Sequence, residues 1–178
     1  MNTPAKCEGW RVRRAAPEDG DAVYSLGETI ASQPLMVRYG VAGQRLGGEL
    51  RALVADRTVT DQHLLVAEAA AAQGSGELAG FARVLAGGRH GGQFGRGGYL
   101  KLIALRPGYE GRGIGKLLLD AVEKTVAEGS PDLFLLASDF NHGAHRFYER
   151  SGYRRVGELP EFVCAGVNEV IYWKRLRR

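Results

Sequence analysis

The chain has 178 residues, enough for one domain with a well-filled core and too few for two ordinary domains. Hydrophobic residues make up 44% and charged residues 25%, which is the composition of a folded globular protein and excludes a disordered or fibrous one. The formal net charge is +4, but the basic residues are spread along the chain and do not form the concentrated patch typical of nucleic-acid binding. We therefore expect a single domain, residues 1–178, with no nucleic-acid partner.

Location and metal content are indicated by what the sequence lacks. No segment approaches the roughly 20 consecutive apolar residues that cross a bilayer, and the first residues lack the apolar core of a signal peptide. Cys7 and Cys164 show no CxxC spacing, and His63, His90 and His142 show no metal-site spacing. We expect a cytoplasmic protein with reduced thiols, no metal and no membrane partner.

The first third of the chain predicts a strand followed by two helices. GWRVRRA at 9–15 alternates apolar and basic residues, as a strand does. Pro17 and the two acids after it are typical of a helix start, and this helix should run to about Ile30. A second helix is expected at 44–56, after a connection that contains glycine and proline, although glycines inside both helices lower their helix propensity.

A hairpin and a glycine-rich segment follow. HLLVAEA at 63–69 and LAGFARVLA at 78–86 are β-type runs, and the turn-forming residues at 73–76 predict a hairpin between them. The segment 87–98 is rich in glycine and is expected to form a loop. It is either a long surface connector or a flap over a substrate groove.

The second half contains a strand, a helix and a strand in that order. YLKLIAL at 99–105 predicts a strand, and from Ile114 to Thr125 the apolar positions recur at the spacing of one helix face. The continuous apolar run at 133–137 is typical of a buried strand. Two strands joined through a helix form a parallel crossover unit.

The chain ends with a short helix and two strands. The helix is expected at about 143–150 with Gly152 as its C-cap, and the strands at about 153–158 and 168–174.

The turn between the 99–105 strand and the long helix carries the main chemical signal. Glycines at 111, 113 and 115 allow consecutive backbone N–H groups to converge, and the helix that begins there adds the positive end of its dipole. With Arg112 and Lys116 beside it, such a turn can bind a pyrophosphate. The remaining alternative is a tight turn that binds nothing.

Two other glycine motifs are excluded by residue. A dinucleotide fingerprint starting at Gly111 requires glycine where Lys116 stands. A Walker loop ending at Lys116 requires glycine in place of Glu110 and Ser or Thr in place of Leu117.

Two segments resemble motifs of the GNAT acetyltransferases. LIALRPGYEGRGIGKLLL resembles their acyl-CoA pyrophosphate motif, Q/R-x-x-G-x-G/A between the fourth strand and the third helix, with Glu110 at the position of Gln or Arg. DFNHGAHRFYERSGYRRVG resembles their N-x-x-A-x-x-F-Y-E-x-x-G-F segment, with Asn141 and Tyr148 in register. The resemblance implies an α/β (α+β) fold: a central mixed, mostly antiparallel sheet of about seven strands with a splayed parallel pair, flanked by about four helices.

The resemblance also implies a cofactor site. Pantetheine would pair with backbone groups of the fourth strand, as an added strand would. Asn141 would contact the cofactor or cap the following helix, and these two roles are compatible. The implied cofactor-binding positions are Ile103, Ala104, Leu105, Glu110, Gly111, Arg112, Gly113, Ile114, Gly115, Lys116, Asn141 and Tyr148.

The implied reaction is direct attack of an uncharged amine on the thioester carbonyl. A lysine-like amine has a pKa of about 10.4, so a base must take a proton. Tyr148 would lie by the sulfur and act as general acid for the departing thiolate. We name Asp139 as the base, with Glu28, Glu161 and His145, or a water chain to one of them, as alternatives.

We therefore expect an N-acetyltransferase that moves an acetyl or short acyl group from acetyl-CoA to a primary amine of a small molecule or peptide, without a metal. Residues 158–168 should join the last two strands and line the acceptor groove together with the second helix, and the resemblance is compatible with a homodimer through the C-terminal strands. The alternative is a non-catalytic acyl-CoA-binding or regulatory module, favoured by Glu110 and by the lack of an evident base.

Overall fold

The computed structural model describes residues 9–56, 61–70, 77–86 and 97–176. Seven strands form one mixed sheet in the order β1-β2-β3-β4-β5-β7-β6. The elements are β1 (Trp10–Arg14), a 3-10 turn (Pro17–Asp19), α1 (Gly20–Ala31), α2 (Pro34–Arg38), α3 (Gly43–Ala55), β2 (Gln62–Ala69), β3 (Leu78–Leu85), β4 (Gly98–Leu105), α4 (Ile114–Ala127), β5 (Asp132–Ser138), α5 (His142–Arg150), β6 (Arg154–Cys164) and β7 (Val167–Arg175).

The fold class expected from the resemblance is confirmed. β4 and β5 are parallel, with Gly98–Leu100 in register with Leu133–Leu135. The pairs β1–β2, β5–β7 and β6–β7 are antiparallel. β2 and β3 are neighbours in the sheet, as the predicted hairpin requires.

The chain divides into two compact units. The first comprises residues 1–83 and 102–122, and the second comprises residues 84–101 and 123–178. The single domain expected from the sequence remains a prediction.

In the first unit, α1 packs closely on α3. A Cβ on Gly27 would lie 2.7 Å from the Cα of Gly47, and a Cβ on Gly47 would lie 2.7 Å from the carbonyl oxygen of Tyr24. The glycines that weaken the helix prediction are therefore the residues that allow the two helices to approach. Fully buried side chains fill the core of this unit, among them Val23, Leu26, Ile30, Leu50, Val66 and Phe81.

A charge cluster fixes β1 to β2 and to the start of α1. The Arg13 guanidinium donates to both carboxylate oxygens of Asp19, at 2.6 and 2.8 Å, and lies 2.7 Å from Glu68. Arg11 also donates to Glu68, at 2.6 Å. The hydrogen bonds from Arg13 lower the pKa of both carboxyls against the opposing effect of burial.

In the second unit, the strands β5 and β7 present two different faces. Tyr148 of α5 packs on Tyr172, whose cross-strand partner is Leu135. Because neighbouring residues of a strand point to opposite faces, Glu169 and its cross-strand partner Ser138 lie on the face away from α5.

Two elements differ from the predictions. The connection after α1 contains α2, a five-residue helix that begins at Pro34, where proline presets the helical φ and needs no N–H partner. β6 runs to Cys164, so the prediction of a long connection over 158–168 was wrong. Pro160 is accommodated because β6 is the last strand in the sheet order, and Glu161 has φ +48° where the register with β7 shifts.

Several predicted features lie outside the described residues: the turn at 73–76, the glycine-rich segment 87–96, Cys7 and His90. Within the described ranges, no helix is long and apolar enough to span a membrane.

Candidate active site

The turn between β4 and α4, in the first unit, contains two of the three glycines that the sequence singled out in the left-handed conformation. Gly111 and Gly113 have φ of +75° and +81°, which is the left-handed conformation that side chains disfavour. Residues 111–113 are exposed, whereas Ile114 is fully buried and anchors the first turn of α4. The first four N–H groups of a helix have no acceptor within it, so this corner presents backbone donors to solvent.

Glu110 folds back on the turn instead of projecting from it. Its carboxylate accepts a hydrogen bond from the backbone N–H of Gly108 at 2.8 Å. Gly108 itself has φ +86°. One backbone donor of the turn is thus held by a carboxylate, where relatives of this motif carry Gln or Arg.

Aromatic and basic side chains surround the turn. Tyr109 packs edge-on against Trp10 with ring centroids 5.4 Å apart, and the Arg112 guanidinium lies 5.1 Å from the centre of the Tyr109 ring. Arg106 donates its backbone N–H to Ala79 of β3 at 2.7 Å. Lys116 forms an ion pair with Asp120 one turn further along α4.

Successive residues at the end of β4 direct their backbone N–H and C=O groups alternately to the two edges of the strand. Because the N–H of Arg106 bonds to β3, the backbone groups of Ile103 and Leu105 point to the opposite edge. The carbonyl of Leu105 accepts a hydrogen bond from the side-chain amide of Gln33 at 2.7 Å. Sequence reasoning missed Gln33, because 72 residues separate it from its partner.

Asn141, in the second unit, is the N-cap of α5. Its side-chain oxygen accepts from the backbone N–H of Ala144 at 3.1 Å. The capping role left open by the sequence is therefore present, and it uses only the amide oxygen.

Tyr148 is buried in a cluster of aromatic rings. Its ring lies 5.7 Å from that of Tyr153 and 5.8 Å from that of Tyr172, between centroids. Burial, and to a smaller degree the neighbouring Tyr99, raises the pKa of Tyr148 well above its usual range. No hydrogen bond among the described residues involves its hydroxyl.

The candidate bases are more exposed to solvent than Tyr148. Asp139, Glu28 and Glu161 are exposed. His145 is half-buried, with Nδ1 at 3.0 Å from the hydroxyl of Tyr172 and Nε2 at 3.1 Å from the carbonyl oxygen of Asp139. No three His, Cys, Asp or Glu side chains in the described part of the chain are grouped so that they could hold a metal ion.

Glu169 is a buried carboxylate on β7, 2% exposed, on the strand face that carries Ile171 and Trp173. It is not without an interaction partner.

Comparison with known proteins identifies the family. Residues 37–153 match the sequence profile of the acetyltransferase (GNAT) family. A Bacillus subtilis (strain 168) protein, named provisionally as an acetyltransferase, is 36% identical over 84 residues, which are 46% of this chain and 52% of that protein. The chain thus spans about half the length of this curated relative.

Solved structures share the fold. A GNAT-family acetyltransferase from Bacillus cereus has a TM-score of 0.71 at 15% identity, covering 95% of this chain and 99% of that one. The PaiA N-acetyltransferase from Thermoplasma acidophilum, solved in complex with coenzyme A, has a TM-score of 0.68 at 17% identity, covering 93% and 98%. The chain belongs to the GNAT family of acetyltransferases.

Proposed function

We propose that the protein is an N-acyltransferase. It moves an acetyl or short acyl group from acetyl-CoA to a primary amine of a small molecule or peptide, by direct attack in a ternary complex. The observation that carries this proposal is the exposed turn 111–113, with its two left-handed glycines at the start of α4. The proposal also includes the cytoplasmic location and the homodimer that were expected from the sequence.

In this proposal the turn binds the pyrophosphate of the carrier. The N–H groups of the first turn of α4 supply directed donors, and the helix dipole favours the negative charge. Arg112 and Lys116 add mobile cations. The T. acidophilum N-acetyltransferase of the same fold was solved in complex with coenzyme A, which supports coenzyme A as the carrier.

The open edge of β4 receives the pantetheine arm. Ile103 and Leu105 offer backbone groups on the edge opposite β3, while the backbone of Ala104 is directed to β3. An extended arm with two amides can pair there as a strand would. Asn141 keeps its amide N–H₂ available for the cofactor while its oxygen caps α5.

Tyr148 assists the departure of the sulfur as the general acid, by donating a hydrogen bond to it. Its raised pKa keeps the phenol protonated at neutral pH. Because a thiol has a pKa of about 8.5, full proton transfer from this phenol to a free thiolate is uphill. Tyr148 therefore acts by hydrogen bonding to sulfur while the C–S bond breaks, and this hydrogen bond stabilises the negative charge in the transition state.

The second candidate function is a non-catalytic acyl-CoA-binding or regulatory module, favoured by the carboxylate of Glu110 in the turn. The test is an assay of thiol release from acetyl-CoA with a broad panel of amines, with mass spectrometry to find which amine gains an acetyl mass. Transfer to at least one amine supports the enzyme. Binding of acetyl-CoA without transfer to any amine supports the module, and absence of binding contradicts both.

A further inference from the structure

The imidazole ring of His145 in α5 joins two other elements of the second unit. Its Nε2 lies 3.1 Å from the backbone carbonyl oxygen of Asp139, in the turn between β5 and α5. Its Nδ1 lies 3.0 Å from the hydroxyl of Tyr172, a β7 residue that is 1% exposed. The same hydroxyl donates to the carboxylate of Glu149, one turn further along α5, at 3.1 Å. These three contacts tie α5 to the end of β5 and to β7.

The three contacts need three hydrogens, and only the charged ring supplies enough. A carbonyl oxygen accepts and never donates, so the Asp139 contact requires a hydrogen on Nε2. The single hydroxyl hydrogen of Tyr172 is donated to Glu149, so the contact with Nδ1 requires a second ring hydrogen. A ring with hydrogen on both nitrogens is an imidazolium. The complete set of contacts is therefore a property of the charged form of His145.

A neutral ring loses one of the three contacts. Hydrogen on Nδ1 alone leaves the lone pair of Nε2 facing the carbonyl oxygen of Asp139, which repels it. Hydrogen on Nε2 keeps this contact, and the Tyr172 hydroxyl then turns its hydrogen from Glu149 to Nδ1. The second arrangement costs less, because the carboxylate of Glu149 is exposed and water replaces the lost donor.

Charged groups on each neighbouring element act on this equilibrium. The carboxylates of Glu149 on α5 and of Asp139 in the turn favour the charged ring. Arg155 on β6 is the cross-strand partner of Tyr172 and opposes a further positive charge, but its guanidinium is already paired with a carboxylate of β6. The ring of His142, a second histidine of α5, lies 6.2 Å away between centroids. His142 must therefore be controlled for in any test of pH dependence.

We infer that His145 and Tyr172 form a proton switch: the charged ring holds Glu149, and with it the C-terminal end of α5, on β7, and the neutral ring releases it. This inference rests on the proposed function, because it regulates the same site. Tyr148, the proposed general acid, directly precedes Glu149 and packs on Tyr172.

The switch acts on one end of α5 only. Asn141, the proposed cofactor contact, caps the other end, where the contact between Nε2 and Asp139 persists in both forms of the ring. A change in the charge of His145 should therefore alter kcat and leave acetyl-CoA affinity unchanged.

The first test compares kcat of the wild type and Glu149→Met, with an amine that the wild type acetylates. The ratio of the two values cancels the titration of the amine and of acetyl-CoA, because both proteins use the same substrates. The ratio should be roughly threefold at about pH 5.5, within the range of about 2- to 10-fold that one net hydrogen bond allows. It should approach one at about pH 8.5, well above the ordinary histidine pKa of about 6.5. Acetyl-CoA affinity should stay within about twofold throughout.

Two variants serve as controls. Glu128→Met removes an exposed carboxylate after α4 and should give a ratio near one at both pH values. The Glu149→Met comparison repeated in a His142→Gln background should show the same pH course, which excludes the second histidine as its cause.

The second test reads the ring directly and needs no activity. Nitrogen NMR of isotope-labelled histidine reports which ring nitrogens carry hydrogen, and His145→Gln identifies the signals of His145 among the four histidines. Both ring nitrogens should carry hydrogen at about pH 5.5, and only Nε2 at about pH 8.5.

Each result decides the inference. A kcat ratio that is the same at both pH values, or a neutral ring with its hydrogen on Nδ1, would overturn the switch and leave the proposed function intact. A wild type that acetylates no amine would overturn the proposed function, and the NMR result would still decide the switch. If Glu149→Met does not fold, Tyr172→Phe, which keeps the ring and removes the bridging hydroxyl, should show a ratio that also falls as the pH rises.

Discussion

The side-chain amide of Gln33 donates a hydrogen bond to the backbone carbonyl of Leu105 at 2.7 Å, across the edge of β4 that faces away from β3. Gln33 is the N-cap of α2, so the segment between α1 and α2 is tied to this edge. The side-chain amide of Gln33 therefore occupies the Leu105 carbonyl, which in the proposed complex would accept a hydrogen bond from an amide of pantetheine.

Replacing Gln33 should therefore tighten cofactor binding. Gln33→Leu removes the competing donor, and because a net hydrogen bond contributes about 0.5–1.5 kcal/mol, acetyl-CoA affinity should rise about 2- to 10-fold. Titration calorimetry measures this, with Gln44→Leu, an exposed glutamine at the start of α3, as the control. Weaker binding by Gln33→Leu would show that Gln33 assists the cofactor instead of competing with it.

Removing the charge of Glu110 should strengthen phosphate binding. Its carboxylate holds the N–H of Gly108 and repels an incoming pyrophosphate. Glu110→Gln should raise acetyl-CoA affinity roughly fivefold at low salt and less at high salt, because ions screen exposed charges. Calorimetry at two salt concentrations checks this, and an affinity gain that does not change with salt would argue against an electrostatic cause.

Loss of the Tyr148 hydroxyl should impair catalysis and not binding. Tyr148→Phe keeps the ring contacts with Tyr153 and Tyr172 but removes the proton, so kcat should fall about 10²-fold or more while acetyl-CoA affinity stays within about twofold. Tyr153→Phe, in the same aromatic cluster, is the control. Unchanged turnover in Tyr148→Phe would remove this residue from the acid role.

The charge cluster of Arg13, Asp19 and Glu68 should make the stability of the protein fall at acidic pH. The pKa values of Asp19 and Glu68 lie below their ordinary values of 3.8 and 4.5, so the stabilisation by Arg13 is present at neutral pH and is lost as pH falls through the lowered values. Arg13→Met should destabilise the protein by about 1–2 kcal/mol at pH 7.

Urea unfolding at pH 7 and at pH 3 measures this effect. The difference between wild type and Arg13→Met should shrink at the lower pH, and exposed Arg14→Met should change little at either pH. A difference that stays constant between the two pH values would show that Arg13 contributes packing and not charge.

Much of the fold could be predicted because local signals and tertiary structure agree. The apolar periodicity from Ile114 gave a helix that the structure bounds at Ile114–Ala127. Helix α2 was missed because five residues carry too little periodicity to be recognised, although Pro34 marks its start. The end of β6 was misplaced because Pro160 is typical of a strand break, and its place on an edge strand depends on the whole sheet.

The parts of the candidate site that are formed by residues close together in the sequence could be predicted. The glycines of the turn and the Asn141 cap follow from nearby residues. Gln33 and Leu105 meet only through the tertiary fold, and the burial of Glu169 depends on the strands beside it. Local spacing cannot specify such long-range relationships.

The central claim, that the β4–α4 turn holds the diphosphate of acetyl-CoA, is tested most directly by two matched glycine variants. Gly111 and Gly40 have φ of +75° and +65°, and a Cβ on either would meet nothing within 4 Å. Both alanine variants should lose about 1–2 kcal/mol of stability from backbone strain. Titration calorimetry with acetyl-CoA should show affinity at least tenfold weaker for Gly111→Ala and within about twofold of wild type for Gly40→Ala; equal affinities for both variants and the wild type would contradict the account.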